Sequence, residues 1–436
     1  MTPPVPGAVA VTAAAVLSPL ADDLDGFTTA LLDGRSAVTL PDDAPDALPV
    51  AALDGFTLGS WAGRHLADAP DTAARLRRIA GRAALPARSA ACVALRAVRD
   101  AGLTGDQLAD GTALLVAGGN LALAHQARTV LGHHRAPGGL RASYALTHLD
   151  ADVIGTVSEL TGIRGEGWLV GGASAAGALA LIQAARTVAA GWADRVLVVA
   201  PAAELSPVEA EAFRRAGALA HERFRDRPAL MCRPFDRDRQ GFVRGEGAAA
   251  VVLERPDSAR ERGAPVLAEL AGCGQRLDAR RGTEPDAEGQ AAAMRSALDA
   301  AGLAPEDVDY VNAHGTGSVL GDETEAASLQ KVFGGRDTLR VNSTKPLTGH
   351  CLSAAGLVEA VAVVAQLRAG AVHPNPHLEH PCAGLPLAGR TSEPLPLRTA
   401  LSNSFAFGGI NASVVLRLPR DDSPRLPLGS RPVVAL

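Results

Sequence analysis

Trp168-Leu169-Val170-Gly171-Gly172-Ala173-Ser174-Ala175-Ala176-Gly177 runs on into Ala178-Leu179-Ala180-Leu181-Ile182. A short apolar stretch thus meets a long Ala/Leu/Ile stretch through two glycines, which reads as strand, turn and helix, the helix spanning Ala173 to Gly191. Apolar strand-like runs recur at Thr112–Ala117, Arg195–Ala200 and Ala248–Leu253. Further helical runs cover Gly289 to Ala301 and Ala354 to Gly370, the last apolar on more than one face. Alternation of this kind predicts an α/β fold whose strands are buried on both faces. Ser174 falls where a strand enters a helix, beside backbone N–H groups and the positive end of the helix dipole. That is a favourable place for a nucleophile and for an oxyanion.

The bulk numbers narrow the function. The chain has 436 residues, 47% hydrophobic and 20% charged, with only 3% aromatic, so alanine and glycine must allow close helix-on-sheet packing. A net charge of −5 argues against nucleic acid as the main partner. Five cysteines without a C-x-x-C pair fit a reducing compartment and speak against a disulfide framework or a structural zinc site. Val9 to Leu17 lacks a preceding basic region and reads as a first strand, not a signal peptide. With no uninterrupted apolar run of about 18 residues, no membrane span is expected, and the expected location is cytoplasmic. No metal or cofactor site is expected. Gly118-Gly119 lacks the spacing of a dinucleotide loop and reads as a turn ending a strand.

Four segments carry a resemblance. Arg233-Pro234-Phe235-Asp236 precedes Gly241-Phe242-Val243-Arg244-Gly245-Glu246-Gly247-Ala248. Asn312-Ala313-His314-Gly315-Thr316-Gly317-Ser318 is followed by Asp322 and Glu325. Ser343-Thr344-Lys345-Pro346-Leu347-Thr348-Gly349-His350 leads to Ala354-Ala355-Gly356 and Glu359. Asn403-Ser404-Phe405-Ala406-Phe407-Gly408-Gly409-Ile410-Asn411 comes last. In this order they resemble the signatures of β-ketoacyl synthases of the elongating and type II polyketide kind, over about residues 8 to 417. The resemblance implies a thiolase fold, two similar βαβαβαββ halves in a five-layer α/β/α/β/α sandwich. It implies halves at 1–260 and 261–418; the charged stretch Glu254–Pro265, punctuated by proline and glycine, reads as their junction, and the Pro- and Arg-rich run 419–436 reads as an extended tail. It also implies a homodimer, or a heterodimer with a second ketosynthase, and substrates borne on acyl carrier protein or coenzyme A.

Roles carry over by motif position. Ser174 stands where the family has its nucleophilic cysteine. His314 and His350 would donate hydrogen bonds to a malonyl thioester as enolate charge develops, Lys345 would hold His314, and Glu359 would balance Lys345. The backbone N–H groups of Ser174 and Phe407 would form the oxyanion hole, and Phe405 and Phe407 the gate. Asp322 and Glu325 would cap and brace the helix after the His314 loop. The serine is the main departure. A hydroxyl stays protonated at neutral pH and needs a base, for which His314 or His350 is the candidate. Ala406, in place of a gate glycine, is expected to restrict the loop, and Ile410 removes a hydroxyl from it.

The expected activity is therefore acyl transfer from acyl carrier protein onto Ser174 and on to a second nucleophile, leaning to decarboxylative C–C condensation with a malonyl thioester. Acyl transfer to an amine, alcohol or thiol is the first alternative. A non-condensing partner resembling a chain-length factor is the second.

Overall fold

A computed structural model describes residues 7–41, 47–382 and 384–419. Of the expected tail only Pro419 falls within that range. Ten strands form the main sheet among the described residues. The first five are β1 (Val9–Leu17), β2 (Thr112–Ala117), β3 (Gly167–Val170), β4 (Arg195–Ala200) and β5 (Ala248–Glu254). The second five are β6 (Ala268–Leu277), β7 (Tyr310–Asn312), β8 (Arg340–Asn342), β9 (Thr399–Ala406) and β10 (Ile410–Arg417).

Across the sheet they run β3-β2-β4-β5-β1 and then β6-β10-β9-β7-β8. Counted from its own outer edge, each half therefore follows one rule, with its second strand central to a parallel trio and its fourth and fifth antiparallel. In the first half, β2 is parallel to β3 and β4, while β5 is antiparallel to β4 and β1. The second half repeats the pattern, with β7 parallel to β8 and β9, and β10 antiparallel to β9 and β6. The rows meet where β1 pairs antiparallel with β6, Val9 opposite Leu270. The junction stretch is not merely a solvated linker: Pro256–Glu261 forms a short helix, and Glu254 is fully buried.

The helices fill the layers. α1 (Leu85–Asp100) and α3 (Ala151–Thr161) lie outside the first row, with α2 (Leu123–Arg135) between them in sequence. α4 (Ala176–Ala189) is followed by α5 (Pro207–Arg215). α6 (Ala287–Ala301) and α7 (Val319–Phe333) cover the second row, and α8 (Ala355–Ala369) packs against α4 between the rows. Alternate residues of each strand enter different cores, as strands covered on both faces require. On β2, Ala113, Leu115 and Ala117 face the central core while Leu114 and Val116 face the outer one.

The middle layer is tight because it is built from small residues. A Cβ on Gly177 would sit 2.5 Å from Leu357 N, and one on Gly356 2.7 Å from Ala178 N. The Leu352–Ala369 stretch is long and apolar enough to cross a membrane by composition, yet 83% of it is buried inside this fold. A helix so enclosed has no polar face, which is why Glu359, in its middle, must find its partner internally.

Candidate active site

The pair of glycines before Ser174 allows an abrupt turn. Gly172 has φ +151°, and Ala173 is held at φ +47°, a region unusual for a residue with a Cβ. This lifts Ser174 onto a single 3₁₀ turn, Ala173–Ala175, ahead of α4. Ser174 is half-buried and lines a cavity of about 680 Å³ together with His314, His350, Phe405 and Phe407. Phe213 from α5 and Phe242 add apolar wall.

His350 ends the loop after Lys345–Thr348, and its Nε2 lies 2.9 Å from Ser174 Oγ. The other ring nitrogen identifies the tautomer. The backbone N–H of Leu352 donates to His350 Nδ1 at 3.2 Å, so Nδ1 is an acceptor and the neutral ring carries its hydrogen on Nε2. His350 therefore donates to Ser174 Oγ. His314 stands edge-to-face with it, ring centres 5.4 Å apart. Lys345 Nζ lies 3.4 Å from His314 Nδ1 and also donates to the His314 carbonyl. An ammonium has hydrogens but no lone pair, so His314 Nδ1 also accepts and its Nε2 also bears hydrogen. Lys345 and Glu359 form a fully buried ion pair at 2.5 Å.

The surroundings keep both rings neutral. Burial, the Lys345 charge and His350 hold His314 well below the usual imidazole range; burial and Lys345 do the same for His350. Asp322 and Glu325 act differently from the expectation. They secure the loop before α7, not the helix end: Glu325 accepts the N–H groups of His314 and Gly315 at 2.8 and 2.7 Å. Asp322 accepts those of Thr316 and Gly317, both at 3.1 Å.

The two phenylalanines expected to form a gate differ in their surroundings. Phe405 is buried at the end of β9, 6.1 Å from the His314 ring. Phe407 is 43% exposed and leans on Phe213, whose ring packs on Phe242, which in turn packs edge-on to His350. Ala406 lies within the β9–β10 ladder opposite Ile410, and the left-handed positions fall on Gly408 and Gly409. The Cβ at 406 is thus accommodated in extended backbone, at no cost to the loop as it stands. Cys351, next to His350, is buried, and burial pushes its thiol up to about 12, so it stays protonated at neutral pH.

Residue patterns missed three contributors. Phe242 belongs to the Gly241–Ala248 motif and so carries a sequence signal; Phe213 and the Leu352 N–H carry none, since neither belongs to a motif of fixed spacing.

Residues 7–259 match the beta-ketoacyl synthase N-terminal domain and residues 267–379 its C-terminal domain. A Bacillus subtilis (strain 168) protein, "Polyketide biosynthesis malonyl-ACP decarboxylase PksF", is 33% identical over 411 residues, 94% of this chain and 96% of its own length. Among solved structures, "The ishigamide ketosynthase/chain length factor" superposes with a TM-score of 0.83 at 27% identity, over 95% of this chain and 99% of that one. "AntDE:AntF (apo): type II PKS acyl-carrier protein in complex with its ketosynthase bound to the hexaketide" gives 0.81 at 25%, over 95% and 100%. With both halves matched and one relative similar from end to end, this chain belongs to the β-ketoacyl synthase family of acyl-transferring enzymes.

Proposed function

We propose that this enzyme removes CO₂ from a malonyl thioester carried on an acyl carrier protein and returns an acetyl thioester. One observation carries the reading: both imidazoles accept through Nδ1 and present Nε2–H to the same cavity. Two donors suit a thioester oxygen that becomes an enolate oxygen when the bond to the carboxylate breaks. The electron pair of that bond moves into the carbonyl, and CO₂ departs. The apolar wall of Phe213, Phe242 and Phe405 favours loss of charge from the carboxylate, since neutral CO₂ is better accommodated there than the anion.

The same tautomers weigh against acyl-Ser174. A serine nucleophile must give its proton to a base as it attacks. Each imidazole here has its hydrogen on Nε2 and its lone pair engaged at Nδ1, so neither is set up to take it. Condensation needs that acyl-enzyme; decarboxylation does not. The decarboxylase named among the relatives supports this choice, and the retained histidines and lysine disfavour a purely non-catalytic partner. The acidic carrier would approach the cavity mouth near exposed Arg280 and Arg281, which adjoin the lining residues Gly282 and Thr283.

The test is release of radiolabelled CO₂ from malonyl acyl carrier protein. His314→Ala and His350→Ala are each expected to lower the rate about 10²- to 10³-fold. Failure of the wild type to release CO₂, or full activity in both variants, would contradict the proposal.

A further inference from the structure

Decarboxylation leaves a carbanion that must be protonated before an acetyl thioester can leave, and the two histidines are committed to its oxygen. Ser174 is differently placed. A hydroxyl has one hydrogen and two lone pairs; one lone pair accepts His350 Nε2–H at 2.9 Å, a donor that turns to the thioester oxygen once substrate is bound. Its own hydrogen has no acceptor on either imidazole, because His314 Nδ1 and His350 Nδ1 are occupied by Lys345 and Leu352 N–H. Ser174 lines the cavity, so that hydrogen is available to whatever the two Nε2–H groups hold.

We infer that the Ser174 hydroxyl delivers a proton to the α-carbon of the thioester enolate, which makes Ser174 a catalytic acid and not a nucleophile. The inference rests on the decarboxylase reading above. The balance closes with solvent as the final source. The enolate's electron pair takes the Ser174 hydrogen and forms the third C–H bond of the methyl group. As the thioester carbonyl re-forms and its oxygen loses charge, His350 Nε2–H turns back to the Ser174 alkoxide, which recovers a proton from water. The enolate carbon is a stronger base than an alkoxide, so the transfer runs downhill. The serine also acquires a positive reason to be there. A thiol at a helix N-terminus ionises near neutral pH and then has no proton to give, and it attacks thioesters. A hydroxyl keeps its proton and, without a base, does not attack.

The stereochemistry of the new methyl group tests this. Malonyl acyl carrier protein bearing tritium at one of its two C2 positions is turned over in deuterated water, and the acetyl methyl is analysed for configuration. A fixed acid on one face should give a single configuration with the wild type. Ser174→Ala should give a racemic methyl group, since water then protonates either face. Ser174→Thr, which keeps a hydroxyl on the same carbon, should restore the wild-type configuration. An unchanged single configuration in Ser174→Ala, a racemic product from the wild type, or an acyl adduct on Ser174 would overturn the inference while leaving CO₂ release in place. Absence of CO₂ from the wild type would instead remove the decarboxylase reading itself.

Discussion

His314 and His350 are kept neutral by the same interior that orients them. An imidazole donor that is already neutral at physiological pH gains nothing from further deprotonation. The rate of CO₂ release should therefore stay flat from about pH 8 down to about 6.5, the ordinary imidazole value. Its acid limb should lie below that value, because burial and the Lys345 charge depress both rings. Stability follows with a definite sign. The unfolded chain takes up protons on these histidines near 6.5 while the folded chain does not. Their contribution is thus intact above about 6.5 and is lost as pH falls toward the depressed folded values. Rates and melting temperatures measured across that range check both statements; an acid limb centred at 6.5 would show that the rings titrate as if exposed.

At the end of β5, just before the short helix Pro256–Glu261, Glu254 organises the connection between the two strand rows. It is fully buried and accepts from Arg195 at 2.7 Å, from Arg262 at 2.7 Å and from Ser258 Oγ at 2.8 Å. Arg195 begins β4 and is itself buried, so the cluster ties two neighbouring strands to the connection between halves. Glu254→Gln keeps the shape and removes the charge, leaving Arg195 enclosed without its counterion. Removing one partner of such a buried pair costs about 3–5 kcal/mol. Chemical denaturation should show a loss of that order, and a change below about 1 kcal/mol would mean that the cluster behaves like a surface pair.

At the scale of the whole molecule, the two-row architecture leaves one outer edge with apolar character. β3 ends the first row, and its Leu169 is 40% exposed. In the same half of the chain, α2 exposes Val130 and Leu131 at 49% and 57%. An unpaired strand edge offers unmade backbone hydrogen bonds to another chain. The expected state is a dimer formed across this edge, as the family resemblance implies. Light scattering at micromolar concentration should give twice the chain mass, and Leu169→Arg with Leu131→Glu should shift it toward the monomer. A monomeric wild type would contradict the arrangement.

Much of this was legible in the residues themselves. The alternation of short β-branched runs with Ala-rich runs announced the α/β layers, because the periods of strand and helix are local properties of the chain. Val9–Leu17, Thr112–Ala117 and Arg195–Ala200 are strands with the ends the pattern suggests. The residue types at Ser174, His314, Lys345, His350 and Glu359 were likewise readable, since each motif fixes a side chain at a known step. What each side chain does was not. Ser174 and His350 are 176 residues apart, and whether that histidine donates or accepts depends on the Leu352 N–H, a backbone group common to almost every residue. The burial of Glu254 in an apparently solvated charged run, the Phe213–Phe407 contact and the placing of Ala406 in a strand ladder arose in the same way. Sequence determined the elements and the chemical groups because both are properties of the chain at short range; tertiary structure alone decided protonation, partners and exposure, which depend on atoms brought together from far apart.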